Sequence, residues 1–323
     1  MNTPCILVTG VGAIIGQGII KSLRMENRPV RIIGIDRNPD AFGAHHCDVF
    51  HTKPENENGT GYLSFLEGII EKHGIDLILP GIEHDVFYFQ THRHYFKKLR
   101  ALPVLNNYEL IEIARDKWKT ARSLIETGIQ VIPGIISDSW QQCVSELGPP
   151  PLLMKPRHGN GSRGIQQLNN EQDFEYWKNN TSDTFMIQRI VGTDDQEYTA
   201  SIFGFGDGDS TIPIIFKRKL SQDGSTLSAK VVQDQSISDF INRLNTHFKP
   251  IGPTNYQFRK ESEFTYLLEV NPRISSATSF RAAFDFNESW MCIDYFINGI
   301  RPNPEPKQAG MAVRYTEDWI EYK

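Results

Sequence analysis

The stretch Tyr266-Leu267-Leu268-Glu269-Val270-Asn271-Pro272-Arg273 constrains this chain more than any other. Side chains alternate faces along a strand, so Glu269 and Asn271 point one way while Leu268 and Val270 point the other, into a core. A carboxylate and an amide oxygen on one strand face are hard donors suited to Mg²⁺. Pro272 ends ladder pairing. Arg273, just beyond it, offers a fork of donors to a phosphate or a carboxylate. An ordinary strand with a wet polar face explains the octet equally well, so the rest of the chain must decide.

At 323 residues the chain can bury a sizeable core and divide into two or three domains. Its charged residues make up 23% and its net charge is −5, which argues against general binding to nucleic acid. The four cysteines, Cys5, Cys47, Cys143 and Cys292, are scattered with no CxxC pair. They predict a reducing, cytoplasmic setting and no structural zinc. The apolar start from Cys5 to Ile20 lacks a basic leader and carries four glycines, unlike a signal peptide. No apolar run is long enough to span a bilayer.

Cys5 to Thr9 reads as a buried parallel strand. Gly10, Gly12 and Gly16 then open a helix that runs to about Met25, and a second strand from Val30 to Ile35 ends in Asp36. This is a βαβ unit with a glycine turn and a following acid, the pattern of dinucleotide-binding domains. A nicotinamide-dependent oxidoreductase or epimerase is therefore one reading. A short-chain dehydrogenase would also need Tyr-x-x-x-Lys on a helix near the middle of the chain. The only match, Tyr256 to Lys260, falls in a segment that reads as a strand. After a helix from Leu63 to His73 and a strand from Leu77 to Leu79 come Glu83, His84 and Asp85. They lie beyond the carboxyl end of a parallel strand, where open α/β sheets bind ligands, so Glu83 and Asp85 are candidates to hold a substrate amine. Gly12 is a further substrate candidate. His92 and His94 diverge on a helix and read as surface residues.

Glu109 to Thr127 reads as one amphipathic helix ended by Gly128. The strand Leu152 to Pro156 carries Lys155 and leads into a loop with Gly159, Gly161, Ser162 and Gly164, whose backbone N–H groups could fold over phosphates. No Gly-Lys-Ser/Thr follows, so it is not a Walker A loop. Further strands are expected over Phe185–Gly192, around Glu197, and over Thr211–Leu220 with its basic run Lys217-Arg218-Lys219. If Asn255–Arg259 and the opening octet form a hairpin centred near Glu263, Gln257 lies opposite Glu269. Gln257, Glu269 and Asn271 then present three oxygen donors on one face.

The order of these parts resembles the ATP-grasp superfamily, and within it a synthetase unit of the carbamoyl phosphate synthetase large subunit. The likeness covers nearly the whole chain. It rests on Leu153-Met154-Lys155-Pro156 with the glycine loop, on Asn255 to Phe258, and on Glu269-Val270-Asn271-Pro272-Arg273. The resemblance implies α/β and α+β architecture: a Rossmann-like pre-ATP-grasp domain (1–110), a lid subdomain (111–187) and a metal and nucleotide subdomain (188–323). It implies that Lys117 and Lys155 bracket the α- and β-phosphates of ATP, and that the loop from Gly159 to Gly164 covers the β- and γ-phosphates. It implies further that Gln188 to Val191 read adenine through the Arg189 carbonyl and the Val191 amide, and that Glu197 holds the ribose. Gln188 stands where the family usually has glutamate. Gln257, Glu269 and Asn271 correspond to Mg²⁺ ligands, with Mn²⁺ as an alternative metal. Arg273 corresponds to the residue that stabilises the transferred phosphoryl group. Ser276 replaces a second arginine of carbamoyl phosphate synthetase, which weakens the case for the same substrate.

The expected activity is an ADP-forming ligation in which a carboxylate becomes an acyl phosphate and is attacked by an amine. Arg218 is expected to meet the substrate carboxylate. Carbamoyl-phosphate-type chemistry on carbonate is the rival enzyme reading, and a non-catalytic nucleotide-binding module is a third. Partners are then small molecules rather than nucleic acid or membrane, and a homodimer is compatible with this reading.

Overall fold

The computed structural model describes residues 3–54, 60–99, 101–159, 164–222 and 224–320. The first domain comprises β1 (Cys5–Thr9), α1 (Ile14–Met25), β2 (Arg31–Asp36), β3 (Val49–Thr52), α2 (Thr60–His73), β4 (Leu77–Leu79), α3 (Glu83–Thr91), α4 (Arg93–Phe96) and β5 (Leu102–Pro103). Its strands form one parallel sheet in the order β3-β2-β1-β4-β5. Glycines around its first turn serve backbone packing: a Cβ at Gly16 would lie 2.2 Å from the Gly10 carbonyl oxygen, and one at Gly81, in the turn after β4, 2.1 Å from that of Thr9.

Where one helix was expected from Glu109 to Thr127, two form: α5 (Tyr108–Ala114) and α6 (Lys117–Ile125). The break has a local cause. Asp116 turns extended and its carboxylate caps α6, accepting from the backbone N–H groups of Trp118 and Lys119. Leu110 of α5 and Leu124 of α6 pack with α9 and the large sheet. The expected boundary at residue 111 thus falls inside a helix that belongs to the large subdomain's core.

The small subdomain contains β6 (Gly134–Ile135), α7 (Trp140–Leu147), β7 (Leu152–Pro156), β8 (Gln166–Leu168), α8 (Glu171–Asn180) and β9 (Phe185–Arg189). Its four antiparallel strands run in the order β6-β9-β7-β8. The two helices close a core of their own around Cys143, Met154, Phe174 and Ile187. Strand β9 ends at Arg189, two residues past the expected boundary.

The large subdomain comprises β10 (Glu197–Phe205), β11 (Ile214–Leu220), β12 (Thr226–Val231), α9 (Gln235–Phe248), β13 (Ile251–Glu261), β14 (Phe264–Asn271), α10 (Thr278–Ala283), α11 (Glu288–Cys292) and β15 (Met311–Val313). Its six antiparallel strands run β14-β13-β10-β11-β12-β15. One face packs on α9, α5 and α6 through Tyr256, Phe258 and Leu244. The other shares a continuous core with the first domain, which runs from Ile19, Ile20 and Leu23 of α1 through α10 and α11 to Phe203 and Phe216 of the sheet. Asn106 Nδ2 donates to Thr254 Oγ1 at 2.7 Å, Asn287 Nδ2 to the Ser22 carbonyl at 2.8 Å, and Trp290 Nε1 to the Leu23 carbonyl at 3.1 Å. No helix among the described residues is long and apolar enough to cross a membrane. All four cysteines are free.

Under this junction lies a buried ion pair. Arg281 and Glu288 are both inaccessible to water and 3.1 Å apart. Arg281 also donates to Ser275 Oγ and Asn255 Oδ1, and Glu288 accepts from Ser201 at 2.6 Å. Removing one partner strands a buried charge, which typically costs about 3–5 kcal/mol. Arg281→Met should therefore lower the midpoint of urea unfolding sharply. Adding Glu288→Gln should recover much of the loss. A double variant no more stable than Arg281→Met alone would show that packing, not charge, sets the cost.

Candidate active site

Strands β13 and β14 pair so that Gln257 lies opposite Glu269 and Asn255 opposite Asn271, as the hairpin reading expected. The ladder slips between Gln257 and Phe258, because Phe258 pairs with Leu267 and leaves Leu268 as an extra residue. This corrects the expected orientation of Leu268. Leu267 and Val270 enter the core beneath the sheet, while Leu268 faces the cleft with Glu269.

That cleft, about 790 Å³, lies between the small subdomain and the large sheet. It brings together Lys117, Lys155, Gly159, Glu197, Gln257 and Glu269. Gln188, Arg189 and Val191 line it as well, with Leu153, Ile132 and Leu268 as apolar walls. Of the predicted nucleotide residues that are described, all but Gly164 line this one cleft; Gly164 packs instead against Pro156. Gly161 and Ser162 lie outside the described residues.

Local structure sets each cation. Lys117 is the first residue of α6, its backbone N–H bonded to the Arg157 carbonyl and its Nζ 2.7 Å from the Gly159 carbonyl oxygen. Arg157 in turn bonds the capping Asp116, whose pKa is held below the usual carboxylate range: burial opposes this, but the bonds from Arg157 and two backbone N–H groups outweigh it. Lys155 is half-buried on β7. Its pKa falls to about 8, chiefly through burial and then through the charges of Lys117 and Arg259, with Glu269 and Glu197 opposing.

Glu197 is buried, and both its oxygens are engaged, by Arg218 Nη2 at 2.8 Å and Arg259 Nη2 at 2.7 Å. Arg218 Nη2 also donates to Gln257 Oε1 at 2.8 Å. Arg218 thus sits inside the cleft floor, 6% exposed, rather than at an open entrance for a substrate carboxylate. Sequence reading missed Arg259, although Glu197 pairs with it in register across β10 and β13. The Nε atoms of Arg218, Arg259 and Arg273 are buried without a hydrogen-bond partner, so none of these forks is saturated.

Gln257, Glu269 and Asn271 supply one carboxylate and two amides on adjacent strands, with Asn271 Nδ2 3.5 Å from Glu269 Oε2. No cluster of three or more His, Cys, Asp or Glu that could hold a metal occurs among the described residues. A hard, oxygen-only set with a single charge suits Mg²⁺, which keeps waters and takes further ligands from phosphates.

The first-domain candidates separate. Glu83 and Asp85 form the first turn of α3, not a loop. Glu83 reaches across the domain junction to Arg273, with Oε2 2.5 Å from Nη2. Asp85 turns inward, completely buried, and pairs with Lys53 at 2.9 Å beside Tyr62. Burial raises its pKa, yet bonding from His84 and the Lys53 charge bring it below the usual value. Asp85 therefore does not face the cleft. Asp36 Oδ2 accepts from the backbone N–H of Gly12 at 2.7 Å, so the acid that would hold a dinucleotide ribose instead fastens the glycine turn. The outer side of α1 is covered by α10, where a Cβ at Gly18 would lie 2.8 Å from Thr278 Cγ2. The oxidoreductase reading finds no support in this arrangement.

Residues 183–319 match a protein-family model described as "ATP-grasp in the biosynthetic pathway with Ter operon". The carbamoyl phosphate synthase large chain of Pseudothermotoga lettingae is 25% identical over 191 residues, which cover 54% of this chain but 17% of that protein. Among solved structures, the Staphylococcus aureus N5-carboxyaminoimidazole synthetase complexed with ADP superposes with a TM-score of 0.75 at 16% identity, covering 96% of this chain and 82% of that one. The biotin carboxylase domain of Hydrogenobacter thermophilus 2-oxoglutarate carboxylase, in complex with MgADP, ADP and bicarbonate, gives 0.70 at 15% identity, covering 94% and 71%. The chain has the ATP-grasp fold and, over residues 183–319, carries an ATP-grasp domain.

Proposed function

We propose that this chain is an ADP-forming ligase that activates a carboxylate as an acyl phosphate for attack by an amine. The observation that carries the reading is the pair Gln257 and Glu269 set opposite Lys155 and Lys117 in one cleft, with Asn271 and Arg273 following Glu269 along and just past β14. Forming an acyl phosphate brings a carboxylate against the γ-phosphate of ATP. Two anions must approach, so catalysis is mainly positioning and charge neutralisation.

In this reading adenine lies between Leu153 and Leu268 and bonds the Arg189 carbonyl and the Val191 amide. Glu197 faces the ribose, and a hydroxyl there must share it with Arg218 or Arg259. Lys117 and Lys155 flank the phosphates. A divalent cation bound by Glu269, Asn271 and Gln257 would supply charge neutralisation at the β- and γ-phosphate oxygens. Arg218, anchored by Glu197 and Gln257, fixes the floor on which the carboxylate rests. A second reading, with bicarbonate as the acid, is favoured by the similarity to carbamoyl phosphate synthase and by the bicarbonate in the Hydrogenobacter complex.

Thermal unfolding with each nucleotide tests the reading. Mg-ATP should raise the melting temperature, since ligand at a hundred times its Kd adds about 2.7 kcal/mol. NADH and NADPH should leave it unchanged, and stabilisation by either nicotinamide cofactor above that by Mg-ATP would reverse the assignment. Glu269→Gln keeps the shape of the only carboxylate among the three donors and removes its charge. ADP release against a panel of carboxylates and amines should then fall by ~10²-fold or more, and near-normal turnover would take the metal off β14.

Lys155 gives a pH signature. Its folded pKa lies below that of the unfolded chain, so the cost of burying its charge is full below about pH 8. That cost is relieved as pH rises from there towards the ordinary lysine value of about 10.4. Polyphosphate reverses the depression. Binding of Mg-ATP at about pH 9 should therefore take up as much as one proton, and close to none through Lys155 at about pH 6. Calorimetry in buffers of different ionisation enthalpy measures this, and equal uptake in Lys155→Met would assign the proton elsewhere.

A further inference from the structure

The Glu83–Arg273 pair joins two roles that the reaction needs at different moments. Arg273 leaves β14 two residues past Asn271, and Glu83 opens α3 beyond the carboxyl end of β4. The two side chains are 11% and 22% exposed, and Arg273 Nη1 also donates to the Ile274 carbonyl at 3.1 Å. The domain junction does not need this bond. It is already closed by the shared core and by the contacts of Asn106, Asn287 and Trp290. An ion pair so far from water adds little net stability, so its value lies in what each partner does when released.

Resting on the ligase reading, we propose that Glu83 is the proton acceptor for the attacking amine, held idle by Arg273 until the γ-phosphate draws the arginine away. A carboxylate paired with arginine is a poor base, and losing that partner raises its basicity. The phosphoryl group that recruits Arg273 therefore also arms Glu83, and proton removal follows acyl-phosphate formation. In that step the amine nitrogen bonds the acyl carbon, and the bond from that carbon to the phosphate oxygen breaks with its electron pair leaving on phosphate. The proton on nitrogen passes to a Glu83 carboxylate oxygen. Nitrogen becomes strongly acidic as it bonds carbon, so a carboxylate suffices. Asp85, two residues on, cannot substitute, because it is buried and committed to Lys53.

Competition for Arg273 makes the proposal measurable without knowing the substrates. The probes are Mg-ADP and the Mg complex of β,γ-imido-ATP, titrated into wild type and Glu83→Gln. Freed from Glu83, Arg273 should bind the γ-phosphate of the imido analogue ~10-fold more tightly, with Mg-ADP affinity unchanged, as reciprocal coupling requires. Proton uptake on binding the analogue at about pH 4.5, close to the ordinary glutamate value, should be larger in wild type than in Glu83→Gln, with no such difference for Mg-ADP. The neighbours Arg273, His84, Asp85 and Lys53 are present in both proteins, so the difference isolates Glu83. Affinities that shift equally for both nucleotides, or a weaker analogue, would make the pair a structural staple. Equal proton uptake in the two proteins would remove Glu83 as the acceptor. If neither nucleotide binds wild type, the ligase reading itself falls; if both bind without these differences, only the role of Glu83 falls.

Discussion

The site depends on register. Strands with a period of two commit every side chain at once, and a slip by one residue moves donors into the core and core residues into water. In the β13–β14 hairpin an extra residue at Leu268 resolves a conflict between two demands. Phe258, Leu267 and Val270 must bury beneath the sheet, whereas Gln257, Glu269 and Asn271 must share the opposite face. The bulge lets both hold, and it leaves one leucine on the cleft side as an apolar wall.

Charge is the second constraint. The cleft gathers Lys117, Lys155, Arg218 and Arg259 against Glu197 and Glu269. Such a set repels itself without an anion, and the lowered pKa of Lys155, set first by burial, carries a smaller contribution from Lys117 and Arg259. Glu197 relieves part of this repulsion by bonding two arginines at once. The remaining excess of positive charge suits a polyphosphate better than a neutral ligand, which agrees with the architecture around it.

Much of this was legible because it lies in local pattern. The β1–α1–β2 unit, the strand that carries Lys155 and the β14 strand that carries Glu269 are each written in consecutive residues. The opposition of Gln257 and Glu269 followed from counting back from a turn. What stayed hidden depended on contacts distant in sequence. The helix break at Asp116 arises from a capping carboxylate also held by Arg157, 41 residues away. Asp85 looked like a cleft residue by position, and only the buried Lys53 shows that it faces inward. Arg218 read as a substrate contact at an open entrance from its basic neighbours, but its Nη2 bonds Glu197 and Gln257 within the cleft floor. The bulge at Leu268 has no signature in the octet, since leucines flank it on a strand that reads equally well either way.

The core shared by α1 and the large sheet bears on how the protein can be taken apart. Phe203 and Phe216 pack on Tyr295, Phe296 and Phe284 of their own subdomain, whereas Trp290 and α10 take part of their cover from α1 of the first domain. A fragment beginning near residue 107 would present the α10–α11 face to water as an apolar patch, the kind of surface that drives self-association. The small subdomain, by contrast, has a separate core around Phe174 and Ile187. The pre-grasp domain is then better regarded as half of a single folding unit than as a module to be exchanged, and grafting another chain's first domain would require rewriting α1, α10 and α11 together.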